Sequence, residues 1–329
     1  MKKFNSLARL TLILAFCVIL LGAYVRLSDA GLGCPDWPGC YGEVLVPESG
    51  QQVDDRFERA LVPEKAWKEM IHRYLASSLG FLILVLAVLA FKNRDNPDQP
   101  VVIPFLLVGL VIFQGMLGMW TVTLLLKPAI VTAHLLGGMT TLALLTWLVM
   151  ATREKKIVPV LYKENRLLLP LTIFAMMVLF VQIFLGGWTS SNYAALICPD
   201  FPTCQNHWWP AMDFGEAYRI WREVGVDYEY GILKADARTA IHMTHRFGAL
   251  VTFITIIILA ITALKSQTAS IRKTGLLVAL FLMIQVALGI TNIVKGLPLY
   301  IAVAHNGMAA LLLMSLTMLL SAVKNARKV

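Results

Sequence analysis

The chain has 329 residues, of which 58% are hydrophobic and only 15% are charged. Soluble domains are less apolar and about a quarter charged, so this composition excludes an ordinary soluble fold. The formal net charge of +9 would suit a nucleic-acid-binding protein. The basic residues, however, are spread in short stretches between long apolar segments, so we predict a membrane protein that binds no nucleic acid.

Eight apolar segments are long enough to cross a bilayer, which takes about 20 residues. They cover residues 7–26, 67–91, 101–121, 130–151, 167–188, 237–264, 274–293 and 300–322. If every segment spans, the basic stretches fall on one side and the acidic residues concentrate in two long connections on the other. The positive-inside rule then predicts a multi-pass protein with both termini in the cytoplasm. The first segment has some features of a signal peptide, but we expect it to remain as a helix because it belongs to a repeat.

The repeat relates the two halves of the chain. The motif CPDWPGC at 34–40 matches CPDFPTC at 198–204. The other matches follow in the same order: Gly22 with Gly186, His72-Arg73 with His245-Arg246, Gln114 with Gln285, Gly118 with Gly289, and His134 with His305. Each copy has an even number of spans, so both copies cross in the same direction and are related by an axis along the membrane normal. The sequence therefore predicts an all-α integral membrane fold of two pseudo-twofold-related four-helix bundles, residues 1–160 and 161–329.

Four histidines lie at repeat-related positions near the starts of their spans, on the side of the membrane that carries the two long connections: His72, His134, His245 and His305. Polar residues inside spans are costly and usually functional. Imidazole is a common ligand of haem iron, and two helices of a bundle can each present one histidine. Zinc is the rival metal, but it would need three or four converging ligands. We predict one bis-histidine haem site in each half, with Gly118 and Gly289 leaving room for the macrocycle.

Charged residues beside these histidines differ between the halves. Arg73 and Arg246 each follow a histidine and are predicted to bind haem propionates, although extension toward the membrane interface is an equal alternative. Glu69 precedes His72 by three residues and shares its helix face, whereas His242 occupies the matching position. A carboxylate in one half only indicates different tasks, such as proton transfer or stabilisation of positive charge at one site. An acid that simply faces water is the alternative, and the role of His242 stays open.

Two cysteine pairs lie in the long connections, Cys34 with Cys40 and Cys198 with Cys204. Cysteines outside the cytoplasm tend to oxidise, so we predict one local disulfide in each connection. Such a short ring constrains little chain, which leaves redox exchange open beside stability. Cys17, in an apolar segment, is predicted to be a small buried hydrophobe.

Five segments taken together resemble the haem A synthase family over essentially the whole chain. They are GLGCPDWPGC at 31–40, EMIHR at 69–73, TAH at 132–134, HMTHRF at 242–247 and AHNG at 304–307. Each segment is weak alone, but the combination is specific. The resemblance implies an oxidoreductase of the bacterial cytoplasmic (inner) membrane. It would oxidise a porphyrin methyl group of haem O to the formyl group of haem A, through hydroxylated intermediates, for terminal oxidase assembly.

The resemblance also implies residue roles. His72 and His134 would bind the iron of the substrate haem, and His245 and His305 would bind a haem b cofactor. Glu69 matches the family's essential glutamate, which would steady a cationic intermediate or handle its proton. The expected partners are haem O, haem O synthase, terminal oxidase assembly factors and an electron acceptor, either a quinone or a thiol-redox protein. A homo-oligomer stays open.

Two other functions would use the same histidines. A di-haem cytochrome b could pass electrons between a quinone and an outer partner, but it gives no role to Glu69 or to the paired cysteines. A transporter for haem or a redox thiol would have its substrate path near the bilayer midplane, whereas these histidines lie further out. Haem A synthesis is therefore the preferred hypothesis.

Overall fold

The computed structural model describes residues 2–48, 57, 59–152 and 166–326. Within these ranges the regular structure is helical, apart from two isolated β-bridges. The helices are α1 (Lys2–Leu27), α2 (Pro63–Lys92), α3 (Val102–Thr123), α4 (Pro128–Ala151), α5 (Leu168–Ser191), the short α6 (Phe214–Ala217), α7 (Ala235–Leu264), α8 (Ala269–Val294) and α9 (Leu299–Ala326). All except α6 are long and apolar enough to cross a membrane, which confirms the eight predicted spans.

Most helix ends extend beyond the apolar segments that predicted them. The largest differences are five residues, at the start of α1 (2 rather than 7) and of α8 (269 rather than 274). Both helices begin with a polar or basic turn, which a hydropathy window leaves out although the backbone is already helical. Proline stands in the first turn of α2 and of α4, where its missing N–H costs nothing.

The spanning helices pack in two groups. In the first, α1 and α3 each contact both α2 and α4; in the second, α5 and α8 each contact both α7 and α9. The groups meet where α9 contacts α1 and α4, and where α4 contacts α5. One apolar core, including Leu142, Leu145 and Leu316, extends through both groups. The predicted boundary at 160/161 lies outside the described residues, and the pseudo-twofold relation stays a prediction.

Many hydroxyl side chains inside the spans donate a hydrogen bond within their own helix. The Thr146 hydroxyl donates to the carbonyl of Leu142, and that of Thr252 donates to Gly248, each four residues back. Lipid offers no alternative partner, so this local bond lets polar residues lie in an apolar helix.

Connections 28–62, 124–127, 192–234 and 295–298 follow from the helix order and share one end of the helices, which we name the loop end. The charges of residues 49–56, 58 and 153–165, on which the predicted orientation partly depends, lie outside the described residues. The orientation therefore stays a prediction.

The prediction that Cys17 is buried is wrong, because its side chain is exposed on the surface of α1. The error has a physical cause. The lipid-facing side of a spanning helix is as apolar as its core-facing side, so an apolar context does not indicate burial.

Candidate functional site

The four histidines lie at the loop end, at the depth that the sequence predicts. His72 is the tenth residue of α2, His134 the seventh of α4, His245 the eleventh of α7 and His305 the seventh of α9. These four helices all begin at the loop end. Each group of helices therefore contains two histidines at comparable height.

Two of the histidine rings pack against glycines on the first helix of their group. A Cβ atom added to Gly22 of α1 would lie 2.9 Å from Cε1 of His72. One added to Gly186 of α5 would lie 3.3 Å from Cε1 of His245. Any larger residue at these positions would push the imidazole aside.

The other two rings pack against glycines on the third helix. A Cβ on Gly118 of α3 would lie 3.5 Å from Cε1 of His134, and one on Gly289 of α8 would lie 3.0 Å from Cε1 of His305. Sequence analysis expected these glycines to make room for a macrocycle. In the structure their room is taken by the imidazole rings.

Three of the rings contain a buried nitrogen atom that lacks a partner. Nδ1 of His72, His134 and His305 makes no hydrogen bond to any described residue. Buried polar atoms are normally satisfied, so unpartnered nitrogens at three repeat-related positions indicate a use that the described side chains do not provide.

His245 differs because Gln182 of α5 contacts its ring. The Gln182 amide nitrogen lies 3.0 Å from Nδ1 and 3.1 Å from the backbone oxygen of His245. The Gln182 side chain occupies the space beside Gly248, where an added Cβ atom would lie 2.3 Å from Oε1 of Gln182. The repeat offsets place Val18 and Leu75 at the matching positions, so this contact belongs to the second half alone. Sequence reasoning missed Gln182, although its lack of a match was visible.

The matched glutamines Gln114 and Gln285 lie beside the other histidine of each half. The Gln285 amide nitrogen is 3.3 Å from Nε2 of His305. The Gln114 amide instead fills the space at Gly137, where an added Cβ would be 1.8 Å from its nitrogen. The two halves therefore also differ around this histidine.

Glu69 is buried, with 5% of its surface exposed, so the alternative that it faces water is wrong. One carboxylate oxygen accepts the backbone N–H of Cys34 at 2.9 Å, and the other forms an ion pair with Arg73. The carboxylate therefore connects α2, one turn from His72, to the first cysteine loop.

His242, at the matching position, also binds the connection in front of it. Its Nδ1 atom lies 2.9 Å from the carbonyl oxygen of Ala194, and the side chain is buried. A carbonyl only accepts, so Nδ1 carries the proton in this contact. His242 thus holds the second connection against α7.

Both arginines that follow a histidine bind the cysteine loops. The Arg73 guanidinium donates to the carbonyl oxygens of Asp36, Pro38 and Gly39 at 3.0, 3.2 and 2.6 Å. Arg246 donates in the same way to the carbonyl oxygens of Cys198, Asp200, Pro202 and Thr203. These contacts give the arginines a use in the protein itself, and propionate binding stays a prediction.

Disulfides close both cysteine loops, joining Cys34 to Cys40 and Cys198 to Cys204. In the first loop, the Asp36 carboxylate accepts the backbone N–H groups of Tyr41 and Gly42 at 2.7 and 2.9 Å. The loops therefore have a defined internal structure rather than a cross-link alone.

The second loop repeats this arrangement with an aspartate of its own. Asp200 accepts the backbone N–H groups of Gln205 and Asn206 at 2.6 and 3.0 Å. The Thr203 hydroxyl also donates to Asp200, and that bond is the main cause that lowers the pKa of this carboxyl below its ordinary value.

Residues 218–231, which we name the strap, cross from the second group of helices to the first. The backbone N–H of Tyr228 donates to the carbonyl of Leu125 at 3.1 Å. Arg59 pairs with Glu229 at 2.6 Å and also with Asp227. The Trp221 ring covers the ammonium of Lys127, 3.8 Å from the ring centroid. The strap therefore covers the α3–α4 hairpin of the first half.

Sequence reasoning missed the strap, although one signal was present. The numbering offset between the copies grows from 164 at Cys34 and Cys198 to 173 at His72 and His245. The segment from the first loop cysteine to the histidine is therefore nine residues longer in the second copy, and surplus chain in one copy indicates a feature that the other copy lacks.

Comparisons with known proteins agree over almost the full length. The COX15-CtaA family model, described as "Cytochrome oxidase assembly protein", matches residues 5–317. A protein of Shewanella oneidensis named "Heme A synthase" is 45% identical over 314 residues, covering 94% of this chain and 93% of that protein. Proteins of the same name from Halalkalibacterium halodurans and Rhizorhabdus wittichii are 25% and 26% identical, and cover 96% and 95% of this chain and 94% and 92% of their own lengths.

Proposed function

The chain belongs to the COX15-CtaA family of cytochrome oxidase assembly proteins, and from that premise we propose that it is a haem A synthase. It oxidises a methyl group of haem O to the formyl group of haem A through hydroxylated intermediates. Relatives that bear this name cover more than nine-tenths of the chain. The observation that carries the proposal is the set of four histidines, each packed against a glycine, at the loop end of eight spanning helices.

The residues present fit a haem in each half. Imidazole is a suitable donor, the rings come from two helices of each group, and three rings keep a buried Nδ1 atom without a partner. A histidine that binds a metal usually donates its second ring N–H to a neighbouring acceptor. Beside His245, the Gln182 amide contacts Nδ1 through its nitrogen, and its oxygen, which has no partner among the described residues, could serve as that acceptor after the amide rotates.

We assign the substrate to His72 and His134 and a resident haem b to His245 and His305. Haem b, when bound, supplies one-electron transfer. Two asymmetries support the division. Glu69 offers a buried carboxylate in the first half only, and Gln182 supports a histidine in the second half only. A substrate must be released after reaction, whereas a resident cofactor must be retained, so the more firmly supported ligand suits the second site.

Glu69 is the proposed catalytic residue. Its carboxylate is buried, lies one turn from His72 and is held by Arg73 and by the N–H of Cys34. A fixed, desolvated carboxylate can stabilise positive charge that develops on the substrate, or accept its proton. The ion pair with Arg73 keeps one oxygen oriented.

The cysteine loops connect this site to a redox partner. The Cys34–Cys40 disulfide lies at the loop end, and the N–H of Cys34 binds Glu69 directly. We propose that a quinone or a thiol-redox protein accepts electrons, and that haem O synthase and oxidase assembly factors deliver haem O and receive haem A. The proposed location is the bacterial cytoplasmic membrane, since the relatives named above are bacterial proteins. The proposed orientation, with both termini inside, rests on the distribution of basic residues.

The test is to express the chain with a supply of haem O, purify it in detergent and separate the extracted haems by chromatography. Haem b together with haem A or hydroxylated haem O is the expected result. Haem b alone, in about two copies per chain, would favour a di-haem electron-transfer cytochrome. A preparation without haem would favour a transporter.

A further inference from the structure

Lys127 is a buried cation that has no anionic partner among the described residues. It immediately precedes Pro128, the first residue of α4, and only 1% of its surface is exposed. Its ammonium makes no hydrogen bond to any described residue. Its one strong contact is the face of the Trp221 ring, 3.8 Å away at the centroid.

The contact with Trp221 offsets only part of the free-energy cost of burying the Lys127 ammonium. An ammonium taken out of water costs several kcal/mol unless it is paired, and contact with an aromatic face returns only about 1–2 kcal/mol. The N-terminus of α4 adds the positive end of a helix dipole at the same place. The two acids that the strap brings nearby, Asp227 and Glu229, already pair with Arg59. No acid in the part of the chain that the structure describes is left to pair with Lys127 here, so the position would suit an anion.

The position of Lys127 relates it to the proposed substrate site. It lies seven residues before His134, which is two helical turns, about 10 Å along α4, and nearly the same helix face. The offset of 171 that relates His134 to His305 places Pro298 at the matching position in the second half. The cation therefore belongs to the first half alone. Arg73, the other candidate cation there, is bound to the cysteine loop.

We propose that Lys127, together with the N-terminus of α4, is a carboxylate-binding site that holds a propionate of the substrate haem. This inference rests on the proposed function. Two axial histidines leave a macrocycle free to turn about the axis through its iron, and several methyl groups could then face Glu69. A propionate fixed at Lys127 removes that freedom, so Lys127 selects which methyl group meets Glu69. Trp221 closes the site on the strap side.

The test compares haem O with its dimethyl ester, in which both propionates are neutral. Purified holoprotein in nanodiscs of zwitterionic lipid is titrated spectroscopically with each ligand, so that no anionic headgroup competes. Wild type should bind haem O roughly ten- to a hundredfold more tightly than the ester, as expected for a hydrogen bond between charged groups. Lys127→Met should lose most of that preference while its affinity for the ester changes little. Lys127→Arg should retain it.

Lys295→Met provides the matched control, because Lys295 ends α8 at the corresponding hairpin of the second half and is exposed. Haem b content reports whether each variant is folded. Equal loss of both ligands in Lys127→Met with haem b retained, or a wild type that does not distinguish haem O from its ester, would overturn the proposal. The readout is binding, so it decides on Lys127 even if neither ligand is converted to a formyl product, a result that would count against the proposed function instead.

Discussion

Glu69 and His242 occupy matching positions on α2 and α7. Both side chains bind a connection at the loop end, one as a hydrogen-bond acceptor and the other as a donor. Glu69 accepts an N–H from Cys34, whereas His242 donates to the carbonyl of Ala194. The difference keeps each connection in place, but it puts a carboxylate at this position in the first half and an imidazole in the second. One substitution therefore preserves the architecture and changes the electrostatics of a single site.

Replacing Glu69 with glutamine should abolish haem A formation while both haem sites stay occupied. The amide can still accept the N–H of Cys34, but it cannot stabilise a positive charge or take a proton. The measurement is haem extraction and chromatography, with Glu69→Ala as a second variant. Glu64→Gln is the control, since Glu64 lies on the same helix and pairs only with Lys68 at an exposed position. Normal haem A from Glu69→Gln would remove Glu69 from the mechanism.

Replacing Gln182 with leucine should weaken retention of the second haem and shift its reduction potential. When Nε2 of His245 binds iron, Nδ1 carries the proton and needs an acceptor. Rotating the Gln182 amide would turn its oxygen, which has no partner among the described residues, toward Nδ1. Loss of such support typically costs about ten- to a hundredfold in affinity.

The measurement is the haem b to protein ratio after dialysis, together with a redox titration. His245→Ala should lose haem b altogether, and Val181→Leu, a change on the lipid-facing side of α5, should have no effect. Unchanged occupancy and potential in Gln182→Leu would show that the contact is packing only.

At the level of elements, the chain builds the same unit twice: a disulfide loop held by an arginine next to a histidine. Arg73 donates to three carbonyls of the first loop, and Arg246 to four of the second. Each arginine is adjacent to a histidine on the same helix. A shift of the loop backbone would therefore be transmitted through the arginine to the position of the imidazole. A change in either disulfide would therefore reach a proposed haem ligand through one residue.

Arg246→Met should make the Cys198–Cys204 disulfide react faster with a small thiol. The charged hydrogen bonds that hold the loop would be lost, and we expect a rate increase of roughly tenfold or more. Maleimide labelling after timed reduction measures it, with exposed Arg219→Met as the control. If the reduction rate stays the same and haem b is lost instead, Arg246 acts on propionates and not on the loop.

On the scale of the whole molecule, the two halves are not independent. The strap of the second half covers the α3–α4 hairpin of the first, and helices α1, α4, α5 and α9 join the groups. Arg59 is the residue of the first connection that holds the strap through two acids. The first half is therefore completed by residues that follow α5 in the chain.

Arg59→Met should loosen the strap without unfolding the helices. Loss of two partly exposed ion pairs costs about 1 kcal/mol or less each, so the effect should appear locally rather than in overall stability. We expect several-fold faster tryptic cleavage after Arg219, measured on the detergent-purified protein. Lys68→Met, which loses an ion pair with exposed Glu64 and a contact with the Tyr24 ring but touches no strap residue in these contacts, is the control. Identical cleavage of Arg59→Met and wild type would mean that the strap is held by Tyr228 and Trp221 alone.

Much of the fold follows from the sequence because lipid imposes a simple rule on spanning segments. Hydropathy alone located eight helices, and the repeat identified the four histidines and two matched pairs of glycines, although the contacts between them were not predicted. Lys127, Gln182 and the strap were not predicted, because their environments depend on contacts between distant segments. Trp221 covers Lys127 across 94 positions of the sequence, and no local pattern indicates such a contact. The prediction that Cys17 is buried was wrong for another reason, because apolar residues occur on both faces of a membrane helix.

Helices α1 and α9 contact each other, and the first residue of α1 and the last of α9 both lie at the end opposite the loops. A short linker between them, with new ends opened between Thr152 and Arg166, would give a circular permutant in which the second half is translated first. Every contact of the strap would persist, because the strap and the hairpin beneath it each lie within an intact half. The order of the halves along the chain is thus separable from their proposed division of labour, which we assign to Glu69, Lys127 and Gln182.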